Sequence, residues 1–338
     1  MSTIRDVASK AQVSVATVSA VLTGNRYVSP ELAERVQRAI AETGYRRNKL
    51  ASGLKSGRSH LVGLVVPDIT NPFFTDFIDL IEGHATAAGF SIILGLSKGN
   101  LEREAAILDL LRSNRVEGTI LCPSGPPRSV VALAKAYGDP LIAVDAADPA
   151  GPVDSVTLDN HGAGRMAARH LTELGHRRLA IVAGPGERVS ARGRKEGFLA
   201  GCADLPCAPE VADGHFTAEG GYLACRALLA KTQWPTAIFV TNNQMLIGVM
   251  RGLAEAGVRV PEEMSILGVD DFPWADSFRP ALTTIRQPVA EMAREAWAIL
   301  SERLADPAAE TRSAVFPADL IVRGSTSAIS AGPDAASA

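Results

Sequence analysis

Two hydrophobic rhythms divide the chain. Up to about residue 60 the apolar positions recur only every three or four residues, whereas from Leu61 such stretches alternate with short, wholly apolar runs. The apolar runs predict strands over residues 61–66, 90–95, 118–122, 141–144, 156–158, 178–183, 237–241 and 265–269. Between them the helical rhythm predicts helices over residues 73–88, 101–114, 162–174, 194–203, 218–230, 244–256 and 289–305. Strands without a polar face, alternating with helices, belong to parallel sheets covered on both sides. Two such runs in succession predict two similar α/β lobes, with a ligand bound at the carboxyl ends of strands in the cleft between them.

The first sixty residues predict three short helices. Thr3 followed by Asp6 is a capping-box-like start, with Asp6 replacing the usual Glu or Gln, for a helix over residues 4–10. After the tight turn Ala11-Gln12-Val13, Ser14 caps a second helix over residues 15–22, whose Val18, Val21 and Leu22 face inward. Ser29-Pro30-Glu31 starts a third helix that runs to Thr43 and stops at Gly44. Two helices joined by a short turn form a helix-turn-helix, whose second helix enters the major groove. The outer face of that helix offers Val15, Ala16, Thr17, Ser19 and Ala20. Hydroxyls bond phosphates or bases, and small apolar groups meet thymine methyls. The competing reading is a plain three-helix bundle.

Composition sharpens this picture. With 338 residues and 35.5 kDa the chain has room for about two domains. Its 46% hydrophobic and 21% charged residues are those of a globular protein. No apolar run reaches the roughly 18–20 residues of a membrane span. The start Met1-Ser2-Thr3-Ile4-Arg5-Asp6 lacks a secretory pattern. The four cysteines form no Cys-x-x-Cys pair, which predicts neither zinc nor disulfides and fits a reducing cytoplasm. Taken as a whole, the net charge of −3 speaks against nucleic acid. It is unevenly spread: residues 1–60 carry ten Lys/Arg against four Asp/Glu, a balance of +6, and the rest carries −9. A basic end on an acidic body is a sign of nucleic-acid binding, and it favours the helix-turn-helix over the plain bundle.

Thr3-Ile4-Arg5-Asp6-Val7-Ala8, followed by Val13-Ser14-Val15-Ala16-Thr17-Val18-Ser19, closely resembles the headpiece signature of the lactose/galactose repressor family of bacterial transcription regulators. The resemblance implies that Val15, Ala16 and Ala20 read bases. It implies that Ser14, Thr17, Ser19, Ser29, Tyr45 and Asn48 make phosphate or positioning contacts, with Thr3 part of the same DNA-binding set. The family usually carries Arg where this chain has Ala20, and alanine makes no bidentate contact to guanine, so the usual half-site is not expected. The basic linker at residues 48–59 has a helical core too short, and too interrupted by Gly53, to be stable alone. It is similar to the family's hinge helix, which orders on operator DNA and pairs across a homodimer. Leu54 then matches the leucine that wedges into the minor groove. Arg47 stands where the family's Tyr-x-Pro-Asn has proline, which implies a looser hinge entry.

The resemblance continues through residues 65–74, 175–176, 184–185, 236–239, 268–271, 280–285 and 287–288. It implies an effector core similar to periplasmic sugar-binding proteins, with Phe73, Phe74, Asp145, Arg194, Phe216, Asn242 and Asp270 in the cleft. A forked donor, carboxylates, an amide and an aromatic face suit hydroxyls that both donate and accept. Arg188 and Arg192 are extra bases in the same loop: facing the cleft, they favour a sugar acid or phosphorylated sugar, and facing outward they pair with surface acids.

Two enzyme-like motifs compete. Gly95-Leu96-Ser97-Lys98-Gly99 satisfies G-x-S-x-G after a strand, yet the last histidine is His215 and the hydrolase order lacks its closing His. Gly162-Ala163-Gly164-Arg165-Met166-Ala167 matches G-x-G-x-x-A without an acid after the next strand, so its glycines are expected to bring the helix close to the sheet. The six histidines show no metal-ligand spacing. The tail from Ser325 has no leucine heptads, so no coiled-coil tetramer is expected.

The sequence therefore predicts an α/β chain in four parts: a headpiece at 1–46, a hinge at 47–60, a two-lobed effector and dimerisation domain at 61–330, and a tail at 331–338. The expected function is a cytoplasmic, homodimeric, DNA-binding regulator. A small molecule, a sugar or sugar derivative, is expected to control it, with no cofactor, metal, membrane or catalytic residue. The alternatives are a small-molecule sensor without DNA binding and, last, a serine hydrolase using Ser97.

Overall fold

The computed structural model describes residues 2–24, 26–45, 58–145, 147–148 and 150–329. The hinge readings for Arg47, Asn48 and Leu54, and the tail at 331–338, lie outside the described residues. The chain falls into two compact units, Met1–Ser59 and His60–Ala338.

The first unit contains α1 (Ile4–Lys10), α2 (Val15–Thr23) and α3 (Pro30–Thr43). The Thr3–Asp6 capping box forms in both directions, and Ser14 Oγ accepts from Thr17 N at 3.1 Å to cap α2. Val7, Ala8, Ala11, Val18, Val36 and Ala39 make the core, with Val21, Leu22 and Tyr45 packed on its margin. Arg35 ties α3 to the α1–α2 turn by donating to the Ala11 carbonyl at 2.6 Å. Two expectations are corrected. Ser29 occupies the N-cap position of α3 but makes no side-chain cap bond. Ala20 is buried, 6% exposed, and does not belong to the outer face of α2.

The second unit holds two six-stranded sheets. The first runs β11 (Ser313–Phe316), β5 (Ser155–Leu158), β4 (Leu141–Val144), β3 (Gly118–Leu121), β1 (Leu61–Val66), β2 (Ser91–Leu96). The second runs β12 (Asp319–Ile321), β10 (Thr283–Arg286), β9 (Ser265–Val269), β8 (Ala237–Val240), β6 (Leu179–Ala183), β7 (Glu210–Asp213). All described pairings are parallel except β10 with β12. Helices α4 (Pro72–Ala87) and α11 (Val289–Ala305) cover one face of the first sheet, and α5 (Leu101–Ser113) and α6 (Pro127–Tyr137) the other. On the second sheet α7 (Asn160–Glu173) and α8 (Val189–Gly201) pack opposite α9 (Ala218–Leu229) and α10 (Asn243–Glu255). Leu64 faces one core and its neighbour Val65 the other, which is why such strands are apolar throughout.

The chain passes between the lobes three times, after β5, after β10 and after β11. Four strands (β7, β10, β11, β12) and α6 escape the hydrophobic pattern. The edge strands β7 and β11 alternate exposed with partly buried residues, and β10 reads Thr-Thr-Ile-Arg, so neither gives an apolar run. Predicted helix starts run late by up to five residues, at α8. The glycine expectation is also corrected: a Cβ on Gly164 would lie 2.2 Å from the Arg194 carbonyl, so this glycine admits α8 against α7 and not the sheet.

Candidate functional site

Eight strand ends of the two sheets point into one cavity. Pro67 and Asp68 follow β1, Lys98 follows β2, Asp145 follows β4, Pro185 follows β6, His215 follows β7, Asn242 follows β8, Asp270 follows β9 and Gln287 follows β10. The space measures about 470 Å³, within the usual range for small-ligand sites. All eight cleft residues expected from the sequence line it: Phe73, Phe74, Asp145, Arg188, Arg194, Phe216, Asn242 and Asp270. Arg192 is exposed and does not, so only Arg188 of that pair faces the cavity.

Each side chain has a local reason for its position. Asn71 caps α4 by accepting from Phe73 N at 2.9 Å, and the helix start presents Phe73 and Phe74 as a wall, their rings edge to face at 5.0 Å. Asn242 caps α10 through Oδ1, accepting from Met245 N at 2.9 Å, which leaves its amide NH₂ toward the cavity. Arg194 is 3% exposed; its Nε donates to Asn160 Oδ1 at 2.8 Å and its Nη1 to the Thr241 carbonyl at 2.7 Å. Neither acceptor is charged, and among the described residues Nη2 has no partner. Asp270 accepts from Gln287 Nε2 at 2.6 Å. Phe216 packs against the backbone at Gly184, where a Cβ would sit 2.2 Å from its ring. Burial pushes the Asp145 carboxyl up to about 6, with Asp270 adding to the rise and Arg194 and Arg188 opposing it.

Strain collects here. Eight non-glycine residues among those described have positive φ, and five of them line the cavity: Lys98, Asp145, His215, Phe216 and Asp270. Such a backbone costs on the order of 1–3 kcal/mol per residue and persists where the surroundings over-determine it, as they do at binding sites. Three hydrogen bonds cross between the lobes at the cleft. Asn243 Nδ2 donates to Asn71 Oδ1 at 2.8 Å, Gln244 Nε2 to the Thr70 carbonyl at 3.1 Å, and Arg188 Nη1 to the Pro123 carbonyl at 2.7 Å.

On the first unit, Val15 and Ala16 are exposed at the start of α2, and Thr17 and Ser19 are half-buried beside them. Ser14 Oγ and Thr17 Oγ1 lie 2.9 Å apart. The family model for "Bacterial regulatory proteins, lacI family" matches residues 3–48, and that for "Periplasmic binding protein-like domain" matches residues 168–326. The HTH-type transcriptional repressor PurR of Escherichia fergusonii is 33% identical over 330 residues, covering 96% of this chain and 97% of its own. This chain belongs to the LacI family. PurR of Erwinia tasmaniensis matches to the same extent. The lac repressor dimer bound to operator and the anti-inducer ONPF superposes with TM-score 0.88 at 28% identity, over 97% of this chain and 99% of that one. The cellobiose complex of the transcriptional regulator CelR superposes with TM-score 0.72 at 29% identity, over 96% of this chain and all of that one. As a LacI-family member the chain is a DNA-binding transcriptional repressor with a two-lobed effector-type domain.

The enzyme-like serine has no such context. Ser97 is fully buried and accepts from Ser124 Oγ at 2.8 Å, so it is not the exposed nucleophile that a strand-to-helix elbow requires. No described helix is long and apolar enough to cross a membrane. The sequence reading missed Lys98, Ser190, Gln244 and Gln287 in the cavity lining. Gln287 lies inside a family motif, and its position after a short polar strand was the available signal. Lys98 was seen only as part of the hydrolase motif.

Proposed function

We propose that the chain binds operator DNA as a homodimer and that a polyhydroxylated small molecule, a sugar or sugar derivative, controls that binding from the cleft. The carrying observation is the cavity lining: a buried guanidinium with an unused N–H group, three carboxyls, a free amide and aromatic faces, drawn from both lobes. Hydroxyl groups both donate and accept, and this set satisfies both. The complexes of CelR with cellobiose and of an Enterococcus faecium family member with ribose support the same class.

In this reading Val15 and Ala16 contact base edges. Thr3, Ser14, Thr17, Ser19, Ser29 and Tyr45 meet or position phosphates, and Asn48 and Leu54 contribute from the hinge. Ala20 is left out because it is buried. A ligand bonding Asp145 on one lobe and Arg194, Asn242 and Asp270 on the other competes with or reinforces the three inter-lobe hydrogen bonds. Its binding thereby changes the lobe arrangement on which the paired hinges depend, a coupling free energy between two sites.

The test is a titration of the full chain with operator fragments from a genomic selection. The logarithm of the affinity is expected to fall linearly with the logarithm of salt concentration, steeply enough for several phosphate contacts. Salt-independent or absent binding to every duplex would reduce the protein to a small-molecule sensor. A thermal-shift screen of sugars and sugar derivatives tests the cleft separately, because a tight ligand raises stability by mass action.

A further inference from the structure

We infer that the effector carries an anionic group, a phosphate or a carboxylate, held between Lys98 of the first lobe and Arg188 of the second. The inference rests on the cleft being the effector site and narrows the ligand to an acidic sugar derivative.

Both cations line the cavity, and they come from opposite lobes. Lys98 follows β2 with a left-handed backbone, φ 55°, and among the described residues it has neither an ion pair nor a hydrogen bond. Arg188 stands at the N-cap of α8, and its one described side-chain hydrogen bond goes to a neutral acceptor, the Pro123 carbonyl, through Nη1. Its Nη2 lies against the backbone next to Lys98: a Cβ on Gly99 would be 3.1 Å from it. The guanidinium of one lobe thus reaches the backbone of the other at Gly99, the residue next to Lys98, whose φ is 68°. Two positive charges on one cavity repel each other, and an anion bound between them relieves that repulsion.

The carboxyls in electrostatic reach of Arg188 are Asp145 and Glu104, and neither is hydrogen-bonded to it. Burial pushes both upward, and Glu104 Oε2 is already taken by Ser124 N at 2.6 Å. An arginine with a free Nη2 beside a lysine is suited to a planar carboxylate or a phosphoryl group. The rest of the cavity, with Arg194, Asn242, Asp145 and Asp270, suits hydroxyls, so the implied ligand is polar at both ends and acidic at one. Each cation belongs to a different lobe, so the anion also bonds across the cleft.

The experiment is calorimetric titration of the full chain with pentoses and hexoses, their terminal phosphates, and the corresponding aldonic and uronic acids. One acidic class is expected to bind at least about tenfold tighter than its neutral parents, with an affinity that falls as salt is raised. The class that wins identifies the anion. Lys98→Met and Arg188→Met are each expected to bring the acidic compound down toward its neutral parent, while Arg192→Met, exposed and outside the cleft, keeps the difference. Neutral sugars binding as tightly as their acidic derivatives overturn the inference and leave the cleft assignment standing. Failure of every compound to bind overturns both.

Discussion

The two units solve recognition in opposite ways. The headpiece places its outer residues on one nine-residue helix with relaxed backbone, and its polar side chains Thr3 and Ser14 serve the fold as helix caps. The cleft draws its residues from strand ends far apart in sequence. It holds five of them in left-handed backbone and buries a guanidinium against neutral acceptors. In the first unit the polar groups stabilise; in the second they are strained or incompletely paired until a ligand arrives. A short local segment can present small side chains to a duplex without cost. A pocket for a polar molecule has to hold unsatisfied groups in place, and stability is given up for that.

The largest expected effect is at Arg194. Arg194→Met leaves Asn160 Oδ1 and the Thr241 carbonyl without their donor and Asp145 with only Arg188 as a neighbouring cation. A hydrogen bond from a charged donor to the ligand is worth about 1.5–3 kcal/mol, so effector affinity should fall by roughly ten- to a hundredfold. Unchanged affinity by calorimetry would place the ligand elsewhere.

Next comes Asp145. Its carboxyl lies at about 6 in the folded chain against an ordinary 3.8. A carboxyl raised on folding favours the native state most below its unfolded value, and that advantage disappears as pH rises through the folded value. Thermal stability of the wild type relative to Asp145→Asn should therefore drop between about pH 4 and pH 6, by up to about 3 kcal/mol. Parallel pH profiles for the two proteins would show that Asp145 is not desolvated.

The contrast between strained and relaxed polar residues is sharpest in a matched pair. Lys98→Gly removes a Cβ from a φ of 55° at a residue with no hydrogen bond or ion pair among the described residues, and should raise the melting temperature, a gain of about 1 kcal/mol, while weakening binding of an acidic effector. Ser14→Ala removes a cap and should lower headpiece stability by about 1 kcal/mol. Thermal melts of the two variants moving in the same direction would erase the distinction drawn between the units.

The sequence by itself determined a good deal. Caps, glycine stops and apolar runs depend on neighbours in the chain, so α1 to α3 and the apolar strands could be placed to within a few residues, and the uneven charge singled out the basic end. Family motifs brought eight cleft residues together although they lie as far apart as Phe73 and Asp270. Only the tertiary structure showed that Ala20 is buried, since the helical rhythm of the sequence does not fix the exposure of a small side chain. Only it turned Arg188 inward and Arg192 outward, because two residues four apart near a helix start leave no hydrophobic trace of their direction. It also closed the sheets with β7, β10, β11 and β12, whose pairing comes from partners distant in sequence and not from their own polarity. And it set the Gly99 backbone, next to Lys98, beside the Arg188 guanidinium of the opposite lobe, an approach fixed by how two separately folded sheets face each other.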